Sequence, residues 1–179
     1  MTAFLFRMPS GIPGAVNRIE TSIITAEIVL TTNPPTRYGD PVALDAATGK
    51  VRPIGVGDVA ANVYGFVVRP YPTQGAATGW PNQPQEANGT PGIPSATGIC
   101  SILKMGYIMV AVNGAALAVK GAPCFVRIGG GTTTQPVGGL EGVIDAVTAA
   151  NTIKIPNAYW MGPQDAQGNG ELYVWAGNA

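Results

Sequence analysis

Histidine is missing altogether from the 179 residues, and Asp, Glu, Lys and Arg together make up only 11% of them. Histidine is the commonest side chain for moving protons or holding a metal near neutral pH, so its absence removes Ser-His and Cys-His nucleophile pairs from consideration. Charge is balanced as well as scarce: 10 basic and 10 acidic residues give a formal net charge of +0. The long-range field that gathers phosphates or anionic lipid is therefore lacking, which argues against direct contact with nucleic acid or a membrane surface. A weakly charged surface also repels its own copies little, which suits a protein that works packed against others. Cysteine is limited to Cys100 and Cys124, too few for a metal set or a disulfide framework. Both are expected to be small buried hydrophobes, and no metal or cofactor is expected. No apolar run is long enough to span a bilayer: the longest, 106–119, is broken by Asn113-Gly114. The apolar patch at the N-terminus is too short for a signal peptide, and its charge, Arg7, follows the patch instead of preceding it. Synthesis in a cytoplasm and a soluble chain are expected.

What is abundant is punctuation. The chain holds 25 glycines and 16 prolines within a composition that is 46% hydrophobic, the texture of many short strands joined by turns. We expect an all-β fold, a small β-barrel or jelly-roll-like sandwich, as one domain over residues 1–179. Residues 1–18 carry Phe4, Leu5, Phe6 and Met8 and then a Pro-Ser-Gly-Ile-Pro-Gly stretch that no helix tolerates, so they read as an extended arm. Strand patterns follow at 19–32, 41–44, 51–54, 63–69, 99–103, 107–112, 115–119, 124–128, 143–147, 152–155, 159–161 and 171–175. Asn113-Gly114 suits a type I′ hairpin turn. Tyr38-Gly-Asp-Pro-Val42 and Lys120-Gly-Ala-Pro-Cys124 share a Gly-x-Pro entry into an apolar run, with proline at the first strand position where no ladder hydrogen bond is lost. Tyr64-Gly-Phe-Val-Val and Met105-Gly-Tyr-Ile-Met are also alike, which raises an internal duplication. Residues 72–98 form a long irregular loop in which Glu86 is the only charge and Trp80 the only large side chain. Loops of this length are usually functional or disordered. Trp80 either anchors another surface or folds back on its own chain.

Chemical signatures fail one by one. None of Ser10, Ser22, Ser95 and Ser101 lies in Gly-x-Ser-x-Gly. Gly129-Gly-Gly131 runs into threonines, not into the Gly-Lys-Ser/Thr of a phosphate loop. The segment 165–171 begins like a calcium loop, but the twelfth position is Ala176 where a bidentate Glu is required, so a hairpin turn is expected. Asp40, Asp45, Asp58 and Asp145 are the carboxylates from which an acid-base pair would have to come, and spacing alone does not bring two of them across a cleft. Asn88-Gly-Thr90 fits a glycosylation acceptor without a secretory context.

The order of several phrases carries a resemblance. Arg7-Met-Pro-Ser-Gly-Ile-Pro-Gly-Ala-Val-Asn-Arg18, Asn33-Pro-Pro with Tyr38-Gly-Asp-Pro-Val-Ala-Leu-Asp45, Val63-Tyr-Gly-Phe-Val-Val-Arg69 and Gly106-Tyr-Ile-Met-Val-Ala-Val112 resemble the cement, or head decoration, proteins of tailed bacteriophages over about two-thirds of the chain. The resemblance implies a non-enzymatic β body on the outer surface of the virion. It would bind the major capsid protein, bridge neighbouring capsomers to stabilise the DNA-filled head, and associate with itself as a dimer or trimer. The 72–98 loop is longer than a compact member requires. The candidate partner-binding residues are Phe4, Leu5, Phe6, Arg7, Met8, Ile12 and Trp80, because an apolar arm left in water is costly and is expected to pack on a neighbouring subunit or add to an open sheet edge. The alternative is a carbohydrate-binding or adhesion module using Trp80, Trp160, Trp175 and tyrosines, although Trp160 and Trp175 lie in strand patterns where core packing is the default.

Overall fold

A computed structural model describes residues 12–69, 94, 96–114 and 116–175. Its nine strands are β1 (Ile23–Ile28), β2 (Pro41–Leu44), β3 (Val51–Pro53), β4 (Gly65–Val68), β5 (Ile99–Asn113), β6 (Pro123–Arg127), β7 (Leu140–Glu141), β8 (Thr152–Trp160) and β9 (Asn169–Val174). Short 3-10 turns at Ile19–Thr21, Ala60–Asn62 and Ala149–Asn151 are the only helical elements among the described residues. The all-β expectation holds. Both Gly-x-Pro phrases open a strand, β2 at Pro41 and β6 at Pro123. In each the glycine takes a positive φ, 82° at Gly39 and 78° at Gly121, a turn that L side chains enter only with strain.

The strand pairings close two rings that share β5. In the second, β5 pairs with β9 and in parallel with β7, β7 with β6, β6 with β8, and β8 with β9. In the first, β5 pairs with β1 and β4, β4 with β2, and β2 with β3, while a parallel bridge from Val29 to Val51 joins the end of β1 to β3. Moving four strands along the chain turns one set into the other, parallel contact included: Val29↔Val51 answers Val112↔Leu140, and Ile28↔Ile99 answers Ala111↔Asn169. The turns agree too. Gly98 precedes β5 with φ 88° and accepts from the N–H of Val29, while Gly168 precedes β9 with φ 79° and accepts from the N–H of Val112. Ala-Ala-Asn forms the 3-10 turn ahead of β4 and again ahead of β8. This is an internal duplication in which β5 ends one copy and begins the next.

Each ring has its own interior. Val29, Val42, Val51, Val67, Cys100 and Ile102 fill the first. Cys124, Leu140, Trp160 and Leu172 lie in the second, within a larger cluster that also takes in Phe66, Val68 and Leu103. Both cysteines are buried as expected. The two interiors solve one packing problem differently. Where the first ring has Val67 and Cys100, the second has Trp160 and Gly170, and a Cβ on Gly170 would stand 3.1 Å from the indole. The large residue is admitted because its neighbour has no side chain.

Several elements depart from the sequence pattern. The expected strand at 19–32 begins only at Ile23, because Ser22 folds back to donate from its N–H to the Ile19 carbonyl and from its hydroxyl to the Arg18 carbonyl. The patterns at 99–103 and 107–112 are one strand, bent at Gly106 where φ is 130°. That bend carries β5 from the first ring into the second, and a Cβ there would lie 2.3 Å from the Ser22 hydroxyl oxygen. Asn113-Gly114 makes no hairpin: Asn113 stays in β5 with negative φ, as a type I′ turn forbids, and the Gly114 N–H donates to Thr134. The patterns at 115–119 and 143–147 are not strands among their described residues, and Leu117, Val119, Val143, Ile144 and Val147 are exposed there. Patterns 152–155 and 159–161 merge into β8 through Asn157 at φ 56°. Asp165 does make the expected hairpin turn between β8 and β9, accepting from the N–H groups of Gln167 and Asn169.

Candidate interaction surface

Of the candidate partner-binding residues, Phe4, Leu5, Phe6, Arg7, Met8 and Trp80 lie outside the described residues. Ile12 is described, 55% exposed, and is the first of the described residues. The next residues are stitched into the fold. Gly14 donates its N–H to Met109 at 2.7 Å, Met109 returns a bond to Ala15 at 2.9 Å, and Asn17 donates to Tyr107 at 3.1 Å. Residues 14–17 thus lie along the edge of β5 that β9 leaves open, and Val16 bridges Ile108.

The root of the arm is also the root of the long loop. Arg69, where β4 gives way to that loop, donates its N–H to the Gly14 carbonyl at 2.8 Å and its Nε to the Pro13 carbonyl at 3.2 Å. Glycine is required here: a Cβ on Gly14 would lie 2.6 Å from that of Tyr38 and 2.9 Å from the Arg69 nitrogen. The Arg69 guanidinium sits 4.7 Å from the centre of the Tyr38 ring. The duplication shows what the loop is. The equivalent connection in the second copy is the short turn 161–168, so 69–98 is an insertion into a fold that closes without it.

Two further surfaces stand out. The first is β1, whose Ile23, Ile24 and Ile28 are exposed together with Ile99 opposite on β5. Its one charge, Glu27, accepts from the Tyr64 hydroxyl at 2.6 Å, and Lys104 lies over that tyrosine ring. Burial pulls the Lys104 ammonium below its ordinary range, with Glu27 opposing. The second surface is a strip of aromatics outside the second ring. Tyr107, Tyr173 and Tyr159 are cross-strand neighbours on β5, β9 and β8. Tyr107 and Tyr173 are 4.6 Å apart, Trp175 meets Tyr173 edge-on at 6.1 Å, and Arg18 caps Tyr107 at 4.1 Å. Trp175 is 58% exposed, contrary to the core position expected for it, because alternation along β9 buries Gly170, Leu172 and Val174 and sets residue 175 on the outer face with Tyr173. Trp160 is fully buried.

The carboxylates are spent on structure. Asp58 receives both terminal nitrogens of Arg52 at 2.7 Å and the Gly55 N–H at 2.8 Å, which hold its carboxyl below the usual range. Arg127 is buried between Glu141 at 2.6 Å and Asp145 at 2.8 Å. Hydrogen bonds from the Thr148 and Val147 amides and from Arg127 hold Asp145 far below the ordinary carboxylate range. Asp45 closes the β2–β3 turn by accepting from Thr48. Asp40 pairs with Arg37 at 2.7 Å, but burial outweighs that partner and pushes it up to about 6. Each of the four therefore binds its own cation or turn amides, and none of the bonds joins two carboxylates across a cleft.

Extensions rooted together on a duplicated β body, exposed aliphatic and aromatic strips, and acids tied into the scaffold are features of a protein built for contact. The fold is shared with a solved chain from "The capsid of Myoviridae Phage XM1", at a TM-score of 0.65 and 16% identity over 97% of this chain and 96% of that one. No curated protein matches the sequence. The family model described as XM1 gp53 minor capsid protein matches residues 1–172. The molecule is thus a structural protein of a phage capsid, found in the virion. It belongs to the XM1 gp53 minor capsid protein family.

Proposed function

We propose that this chain is a cement protein: it binds the outer surface of the shell, spans neighbouring copies of the major capsid protein, and stiffens the head against packaged DNA without catalysing a reaction. The observation that carries this reading is the shared root at Gly14 and Arg69. Residues 1–11 and 70–93, unnecessary for closing either ring, connect to the body at adjoining points, so a single footprint can engage two neighbours. Linked contacts of this kind act at high effective concentration, and many copies of a modest clamp add up over a shell. Self-association as a dimer or trimer completes the reading, and no direct contact with nucleic acid belongs to it.

The test is co-sedimentation of the purified full chain with expanded shells, scoring copies per capsid subunit and shell survival on heating. Saturable binding at a fixed ratio with raised shell stability is expected. No binding to either expanded or unexpanded shells would overturn the proposal. The arm's boundary follows from the fold. Removing residues 1–11 is expected to spare melting and weaken attachment, whereas a cut extending to residue 18 also strips hydrogen bonds from β5.

One observation favours a second reading, glycan binding: Tyr159 and Trp175, the exposed members of the aromatic strip, are rings on which sugars could stack. A glycan array separates the two, since a pure cement protein gives no saturable sugar signal.

A further inference from the structure

We propose that the open edge of β1 is the seat for residues 1–11 of a second copy, which add there as an extended strand. The proposal rests on the arm being the assembly element, and the duplication supplies the location. In the second ring the open edge of β5 is occupied by residues 14–17, hydrogen-bonded to Tyr107 and Met109. The positions of the first ring that answer Tyr107 and Met109 are Ile24 and Ala26 of β1. Their backbone groups face away from β5. Val29 donates toward β5, to Gly98, while Leu30 donates to Val51 of β3, and strand alternation sets 24, 26 and 28 with Leu30. Among the described residues nothing pairs with that edge between Ile23 and Ile28. Among the described residues, one copy of the fold therefore has its edge filled by an extended segment, and the other has no partner on the same edge.

Between Ile24 and Ile28 the edge carries no lysine or proline, and the one register shift of its pairing with β5 lies at its start, between Ile23 and Ile24. Proteins protect such strands with lysine, proline or a bulge turned outward. Here the side chains beside it are Ile24, Ala26, Ile28 and Ile99, all exposed, and Glu27 is committed to Tyr64. An unpaired, aliphatic edge is a template for strand addition, in which main-chain bonds give affinity and alternate side chains give register. Phe4, Leu5 and Phe6 supply the apolar side chains.

Direction favours a second copy over the chain's own arm. Read backward from Asn17 opposite Tyr107 to Gly14 at Met109, the chain runs toward Val112, whereas β1 lies opposite residues 99–105. Eleven extended residues span about 36 Å, a reach that suits a neighbour on the shell.

The test uses full-length chains, one carrying Leu5→Cys and the other Ala26→Cys, mixed and oxidised both free and on expanded shells. The native thiols are buried and do not compete. A disulfide between the two chains is expected, and none when Thr48→Cys, in the exposed β2–β3 turn, replaces Ala26→Cys. Ala26→Pro is expected to keep the melting temperature, since its N–H serves only the open edge, while weakening arm capture at least tenfold. If Ala26→Pro fails to fold, Ile28→Lys reads the same loss. A disulfide formed within one chain of the Leu5→Cys, Ala26→Cys double variant at high dilution would overturn the proposal. So would the absence of any link while removal of residues 1–11 still abolishes shell attachment, an outcome that leaves the arm reading standing. Normal attachment without residues 1–11 would overturn both.

Discussion

Exchanging the interior pair of the second ring for that of the first is the sharpest test of how this duplicated fold packs. Trp160 is fully buried and its Nε1 has no hydrogen-bond partner. A Cβ at Gly170 would meet the indole at 3.1 Å and Val112 Cγ2 also at 3.1 Å. Gly170→Cys alone adds a side chain where none fits, and overpacking of this kind costs about 1–3 kcal/mol. Trp160→Val alone opens a cavity; large-to-small core changes of this class cost about 3–5 kcal/mol. Relief of the unpaired indole N–H, about 1–3 kcal/mol, moves the expected loss to the lower end. Together the two changes restore the Val and Cys combination that fills the first ring, the new thiol entering space the indole has left. The double variant is therefore expected to be more stable than the sum of the two losses predicts, by about 1–3 kcal/mol of coupling. Urea unfolding followed by far-ultraviolet circular dichroism measures all four corners of the cycle. Strict additivity, or a double variant worse than the sum, would refute the claim that Gly170 exists to admit Trp160.

Other perturbations reach other parts of the scaffold. Arg127→Met leaves Glu141 buried without its cation and is expected to cost about 3–5 kcal/mol, much of it recovered by adding Glu141→Leu; denaturant midpoints check both. Gly106→Ala places a Cβ at φ 130° against Ser22, and is expected to lower the melting temperature more than Gly55→Ala, where a Cβ meets nothing within 4 Å. Asp58 and Asp40 give opposite pH signatures. A carboxyl depressed on folding, like Asp58, adds stability above its unfolded value near ~3.9, and that stability is lost as pH falls through the folded value. Asp40 is raised to about 6, so its contribution is present below ~3.9 and is lost as pH rises through about 6. Unfolding midpoints between pH 3 and 8 are expected to lose part of their acid limb in Asp58→Asn and part of their decline between pH 4 and 7 in Asp40→Asn. Unchanged profiles would contradict the assignments.

The duplication is the clearest case of a signal present in the chain but readable only in part. The Gly-x-Pro pair at Gly39 and Gly121 pointed to it, and both phrases do open strands. The better signals were the Ala-Ala-Asn triplets at 60–62 and 149–151 and the glycines at 98 and 168, which sit at equivalent turns. They were hidden because the loop 69–98 is an insertion, so the spacing between matching features changes partway along the chain. A search for one fixed period loses them. The aromatic strip escaped for a related reason: Tyr107, Tyr159 and Tyr173 are distant in sequence and meet only through strand register.

By itself the sequence determined the class of element and most turns. Proline has no N–H to give and glycine alone enters positive φ cheaply, so their positions fix where strands begin and end without reference to neighbours. The lack of histidine and of net charge likewise bears on function before any folding. What only the tertiary structure decided was which strand lies beside which, and therefore which edge is left open. Bending β5 at Gly106 hands one strand to two rings, buries Trp160 over Gly170, brings Gly14 to Arg69, and, among the described residues, fills one of two equivalent edges and not the other. Those outcomes depend on contacts between residues far apart in the chain, whose pairing is chosen by the burial of two complete interiors and not by any local preference.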